Sequence, residues 1–320
     1  MPEFASGCLI DPAIRDASVV ELLANGRQPI CADNASIKGT WARLKARGVQ
    51  AVMLPQLMFM YFPGRANDFQ NGSRNAKPAP DNGTCVSRGT YRSMTLSYLR
   101  AIDEKQIIGR PVIFSYEAIF GGGRVQIGKG RLGTSGGMYG GWAARWASEY
   151  GGVERAVVGQ YDLSQDTPLG RSDLATLWGN RGVPQEIITE ARKHPFDAHL
   201  ARTPDEAADC LAAGFAGAFS RSWAGEGERD SNGMVRPSPS AHCETLCGIF
   251  QAHNGEDGFL HWQSWGEKTP GGNNRLKLYD GSTYELPNGC YGVYAGDVEK
   301  AFRGDGESWH FEVREGSQYR

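Results

Sequence analysis

Near residue 215 the period of the hydrophobic pattern changes, and that change limits the possible folds more than any other feature of the chain. Before it, apolar residues recur at helical intervals: Tyr91, Met94, Tyr98 and Ile102 in one stretch, then Trp142, Trp146 and Tyr150 in another that Gly151 and Gly152 stop. Pro184 opens a further helix in "PQEIITEARKH", and Thr203 with Glu206 make a capping box for one that Gly214 ends. Two short helices are predicted over 18–25 and 39–47, and "RPVIFSY" reads as a strand. After the switch the apolar runs are short or alternating, "AGAFS", "HCETLCGIF", "FLHWQSW", "NRLKLYD", "CYGVYAG" and "WHFEV", each bounded by turn residues. The expected class is α+β, a helical lobe followed by an antiparallel sheet or half-barrel.

A chain of 320 residues can bury a core of its own. We divide it into an N-terminal extension packed on the core (1–70), a helical lobe (71–202) and a β lobe (203–320), with no internal repeat or low-complexity linker. Forty-three glycines and sixteen prolines predict much loop, including the surface stretch "NDFQNGSRNAKPAPDNG". The net charge of −2, with no basic block or acidic tail, gives no reason to expect nucleic acid or a membrane surface as a partner. "MPEFASGCLIDPAIRD" lacks the pattern of a signal peptide, and the apolar stretch "AVMLPQLMFMYF" is short and broken by Pro55 and Gln56, so a soluble, cytoplasmic protein is expected. Seven cysteines, odd in number and without C-x-x-C spacing, argue against a disulfide framework and a zinc ribbon. Reduced thiols and no disulfide are expected.

Two apparent motifs lose their force on inspection. In "GGGRVQIGKG", Gly123, Gly128 and Lys129 fit G-x-x-x-x-G-K, but Gly130 replaces the Ser or Thr that would hold magnesium, and "RLGTSGG" is no helix. His242, Cys243 and Cys247 would need a common face to bind a metal, whereas on a strand the two cysteines share one face and His242 points the other way. No cofactor and no metal are expected. Cys85 is different, because Thr84 is a possible N-cap and the thiol would then sit in the first turn of a long buried helix, where the helix dipole lowers a thiol pKa. A base for it must come from the six histidines, among which position alone does not choose.

Four stretches taken in order do choose. "GTCVSRG" resembles the nucleophile turn of the papain-like cysteine peptidases, "TSGGMYGGWAARWASEYGGV" their Gly-Gly loop and following helix, "SAHCETLCGI" the strand with the catalytic histidine, and "HWQSWG" the Asn-Ser-Trp-Gly signature. The 157 positions from Cys85 to His242 are near the roughly 130–150 of papain-type enzymes, with "AGEGERDSNGMVRPSPS" as an insertion. The resemblance, which runs from about residue 80 to 300, implies Cys85 as nucleophile, His242 as base and Gln263 as the group orienting the imidazole. It further implies Trp265 as a shield for that hydrogen bond and Gly136 and Gly137 as the residues pairing with the substrate main chain.

The chain departs from the family in three places. Gln263 stands where Asn is usual. The oxyanion glutamine would fall on Ala79, leaving Gln70 and Asn82 as alternative amide donors. The family's usual disulfide positions hold Asn82 and Thr134, both partners lost together, which fits a reducing compartment. The resemblance implies a thiol hydrolase, of a divergent bacterial or phage type, that cleaves peptide or isopeptide bonds in a peptide or protein substrate through a Cys85 thioester. Two alternatives stand beside it: a catalytically vestigial papain-like fold serving a protein assembly or a virion, and a cell-wall amidase.

Overall fold

The computed structural model describes residues 7–63, 83–164, 172–225, 227–264 and 270–314. The chain enters through strand β1 (Cys8–Leu9), helix α1 (Pro12–Ala24), helix α2 (Thr40–Ala46), strand β2 (Ala51–Met53) and helix α3 (Gln56–Tyr61). A helical region follows: α4 (Cys85–Asp103), α5 (Tyr116–Gly121), the short strand β3 (Met138–Tyr139) running into α6 (Gly140–Glu149), the hairpin β4 (Val157–Val158) and β5 (Tyr161–Asp162), then α7 (Ser172–Arg181) and α8 (Gln185–Ala191). The remainder holds β6 (Phe196–Ala201), α9 (Pro204–Ala212), β7 (Gly217–Ala224), β8 (Glu228–Arg229), β9 (Ser238–Gln251), β10 (Asp257–Trp262), β11 (Gly271–Gly272), β12 (Arg275–Lys277), β13 (Thr283–Glu285), β14 (Cys290–Tyr294), α10 (Ala295–Arg303) and β15 (Glu307–Val313).

The main sheet runs β14-β10-β9-β7-β15-β6, with β2 also on β9, and every one of its pairings is antiparallel. The switch in hydrophobic period thus marks a real change of architecture, although the sheet also takes a strand from each of the two earlier segments, β2 and β6. Thr203 Oγ1 accepts the Glu206 N–H at 3.2 Å, as a helix start there requires, and Gly214 takes φ of +93° after α9. "RPVIFSY" corrects our expectation. It forms only one isolated bridge, Phe114 to Glu154, before the chain turns into α5. Residues 112–115 are buried all round, and a short apolar run of that kind has no periodicity by which to tell strand from irregular core.

Helix α4 is buried along nearly its whole length, although its sequence "CVSRGTYRSMTLSYLRAID" is far from uniformly apolar. Its hydroxyls make this possible by bonding back to the preceding turn: Ser87 to Thr84, Thr90 to Val86, Ser93 to Gly89 and Thr95 to Tyr91, each O–H donating to a carbonyl at 2.8 Å. These four hydroxyls are thereby satisfied within the helix and avoid the roughly 1–3 kcal/mol that an unpaired buried group would cost. The closest approach to the sheet is at Gly89, where a Cβ would lie 2.9 Å from Cys243 Sγ, and there Thr245 Oγ1 donates to the Gly89 carbonyl at 3.1 Å. This contact fixes the start of α4 against β9.

Candidate active site

Cys85 is the first residue of α4, and the turn that delivers it depends on glycine. Gly83 has φ of +66°, and a Cβ there would stand 2.5 Å from the Gly137 nitrogen and 2.7 Å from the Gly7 Cα. A Cβ on Gly7 would meet the Gly83 Cα at 2.4 Å. Three backbones therefore cross beside the thiol with no room for side chains. Thr84 takes the N-cap position but its side chain makes no capping bond; its hydroxyl oxygen accepts from Arg88 Nε at 3.2 Å instead.

The sequence led us to expect a lowered thiol pKa at Cys85, and the structure reverses this. The residue is only 8% exposed, and burial, followed by the neighbouring Cys8 and Cys243 thiols, pushes it well above its ordinary value, while the Cys243 backbone N–H opposes the rise. A buried anion without a cation beside it is costly, and that outweighs the field of the helix end.

The pairing of β9 with β7 sets His242 opposite Arg221 and Cys243 opposite Ser220. Partners across an antiparallel pair share a face, so Cys243 looks toward α4 while His242 lies on the face of Arg221 and Glu244, the alternation expected from the sequence. His242 is buried, and its imidazole is one of the groups that bear on Glu244. Among the described residues no hydrogen bond joins it to the Cys85 thiol. Gln263 follows β10, donates its N–H to the Gly289 carbonyl at 3.2 Å, and is fully buried. Neither atom of its carboxamide has a hydrogen-bond partner among the described residues, an arrangement that costs about 1–3 kcal/mol for each buried group. Gln70, Asn82 and Trp265 lie outside the described residues.

The Gly-Gly loop is held by a residue that sequence reasoning passed over. The Arg124 guanidinium, 2% exposed, donates to the carbonyls of Gly133 at 2.8 Å, Ser135 at 2.7 Å, Gly137 at 2.5 Å and Gly179 at 3.1 Å. The glycine run around it is a packing surface: a Cβ on Gly122 would fall 2.0 Å from the Trp146 ring, and one on Gly128 2.4 Å from Trp142. The available signal was the buried-arginine rule, since a lone Arg among glycines and apolar residues must find acceptors. Gly136 is exposed and Gly137, with φ of +89°, is buried. The strand that follows, β3, is paired in parallel with β1: Cys8 stands opposite Met138, Leu9 opposite Tyr139, and the Met138 N–H donates to the Gly7 carbonyl at 3.2 Å. The chain's own residues 7–9 thus occupy the backbone edge beside Cys85.

Behind Cys243 the sheet buries a carboxyl group. Glu307 faces Gly140 at the start of α6, and burial pushes it up to about 7, against the backbone of Gly140 and Gly141 and Arg15, which favour its ionised form. An acid whose folded value is raised contributes its full stability below the unfolded value of about 4.3 and loses it as pH rises to the folded one. Relative to Glu307→Gln, the parent chain should therefore lose roughly 2–3 kcal/mol between about pH 4.5 and 7 and change little above that. Urea unfolding of both chains at pH 5 and pH 8 measures the difference; equal pH slopes would refute it.

No family model matches the chain, and no curated protein matches it. Among solved structures it is similar in fold to xylellain, a cysteine protease from Xylella fastidiosa, at 15% identity over 72% of this chain and 80% of that one, with a TM-score of 0.47. It is also similar to the bromelain protease from Ananas comosus, at 12% identity over 83% and 100% of the two chains with a TM-score of 0.44. Digestive procathepsin L 3 of Tenebrio molitor larval midgut follows at 12% identity over 94% and 99%, with a TM-score of 0.40.

Proposed function

We propose that the chain is a papain-like thiol hydrolase acting on peptide or isopeptide bonds, with Cys85 as nucleophile, His242 as base and Gln263 as the positioning residue for the imidazole. What supports this reading is the packing of the "GTC" helix against the strand that bears "SAH", although the His242 side chain stands on the far face of that strand from Cys243 and α4. "GTC" opens a buried helix, "SAH" lies on the strand packed against it, "TSGG" leads into a backbone edge beside the thiol, and Gln263 closes the neighbouring strand with its amide unpaired among the described residues. Attack by sulfur on a carbonyl carbon would release an amine and leave a thioester, which water then cleaves. Peptide or protein substrates follow from that chemistry.

The rival reading, a vestigial fold in a structural or virion-associated protein, draws on the raised thiol and on its cover by residues 7–9. No observation favours the cell-wall amidase. A thiol-directed epoxide separates the first two. The hydrolase reading expects stoichiometric alkylation at Cys85, read by peptide mass, in preference to the six other buried cysteines and absent from Cys85→Ser. Labelling spread evenly over the cysteines, or none without denaturant, favours the scaffold.

A further inference from the structure

The odd cysteine count and the loss of the family's bridge lead to an expectation of no disulfide, and the placement of two thiols argues against it. They meet far from Cys85. Cys31 and Cys210, separated by 179 positions in sequence, bring their sulfur atoms to 2.6 Å. Carbon atoms out of bonding contact rest about 3.5–4.0 Å apart, and a disulfide measures about 2.03–2.05 Å, so this pair is within about half an ångström of a bond and well inside non-bonded separation. Both residues are buried, at 2% and 0% exposure, among Ile37, Trp41, Ala207 and Leu211.

The surrounding backbone holds the pair together without their help. The Leu200 N–H donates to the Pro29 carbonyl at 2.6 Å, and Ile30 bridges Leu200, which sets the turn at Cys31 beside β6. On the other side Asp209, next to Cys210 in α9, accepts the N–H groups of Gly39 at 2.6 Å and Trp41 at 2.9 Å, which ties the start of α2 to the same helix. The two cysteines are thus clamped from both flanks.

We propose that Cys31 and Cys210 form a disulfide that fastens the N-terminal extension to α9. The bond arises by thiol–disulfide exchange with a small disulfide such as oxidised glutathione. The Cys31 or Cys210 thiolate attacks one glutathione sulfur and releases the first glutathione thiol, and the second cysteine then displaces the other. The Sγ–Sγ bond replaces the oxidant's S–S bond, two electrons pass to glutathione, and the two protons end on its thiols. Burial pushes the Cys210 thiol well above its ordinary value, with Cys31 adding to the rise, so exchange proceeds while the chain is still folding and the finished bond is shielded from reductant.

The test is a peptide map of the full chain refolded with oxidised and reduced glutathione, then alkylated under denaturing conditions. A linked peptide containing Cys31 and Cys210, lighter by two hydrogens than the sum of its parts and split by reductant, is the expected result. The melting temperature of this material should drop by roughly 5 °C when the bond is reduced under denaturing conditions before refolding in reductant. Recovery of both cysteines as alkylated thiols, or either one linked elsewhere, overturns the proposal. Since the map is made on the parent chain, it does not depend on the folding of any variant; Cys31→Ala serves only to confirm the identity of the linked peptide.

Discussion

Glu244→Ala should destabilise the chain by about 3–5 kcal/mol, the effect of removing one partner from a buried ion pair and leaving the other charge unbalanced. The Glu244 carboxylate accepts from Arg221 Nη2 at 2.7 Å, from His261 Nδ1 at 3.2 Å and from the Tyr291 hydroxyl, all fully buried on the face of β9 that carries His242. Arg221 is further sandwiched against aromatic rings, 3.9 Å above Trp223 and 4.9 Å from Phe219. Burial pushes the Glu244 carboxyl up, but Arg221 and His261 outweigh it and hold the group below the usual carboxylate range. A carboxyl with a depressed folded value contributes stability above its unfolded value of about 4.3 and loses it as pH falls below that. The parent chain should therefore weaken on acidification below about pH 5. Joint replacement of Arg221 by Met and Glu244 by Leu should recover most of the stability and flatten that acid slope. Urea midpoints of the three chains at pH 4 and pH 7 decide the matter, and a single-variant loss under about 1 kcal/mol would mean the cluster is far less enclosed than it looks.

The second large effect belongs to the proposed chemistry. Cys85→Ala should lower peptide or ester hydrolysis by on the order of 10⁶, because no other group in the site can form the thioester. Gln263→Ala should lower the rate far less, and Gln263→Asn, which restores a shorter amide, should hold or raise it. The readout that a merely structural role would not move is the split between acylation and deacylation: loss of imidazole orientation falls on acylation while urea midpoints of the Gln263 variants stay close to the parent. If Cys85→Ala keeps pace with the parent, the nucleophile lies elsewhere; if Gln263→Ala is neutral, another group orients the base.

How much of this was legible before the structure depends on the range of the signal. The helix at Cys85 and the strand bearing His242 announced themselves because amphipathic spacing and turn residues are local, and so did the opposite faces of His242 and Cys243, which follow from strand alternation alone. The Arg221–Glu244–His261–Tyr291 cluster did not, since four residues scattered over 71 positions share no pattern until β7, β9, β10 and β14 lie side by side. Arg124 was hidden in a run that looked like a phosphate loop, and its four carbonyl partners are identifiable only in space. The thiol at Cys85 was misjudged for a related reason. Helix position can be read from sequence, whereas the depth of burial and the approach of Cys8, 77 positions earlier, cannot.

That approach has a kinetic meaning if the site acts as proposed. A substrate pairing with Gly136 and Gly137 and extending along the same edge meets residues 7–9, which already pair with Met138 and Tyr139, are joined covalently to the rest of the chain and so compete at an effective concentration of about the millimolar order. Such a competitor cannot be diluted away. The apparent Kd for any external peptide is the intrinsic value divided by the fraction of chains whose first strand has peeled off, and tenfold rarer opening raises the apparent KM tenfold. The same tether spares loosely fitting peptides, because only one whose side chains gain more than the chain's own Cys8 and Leu9 lose can enter. Selectivity would then be set as much by the strength of an internal two-residue ladder as by the shape of the cleft.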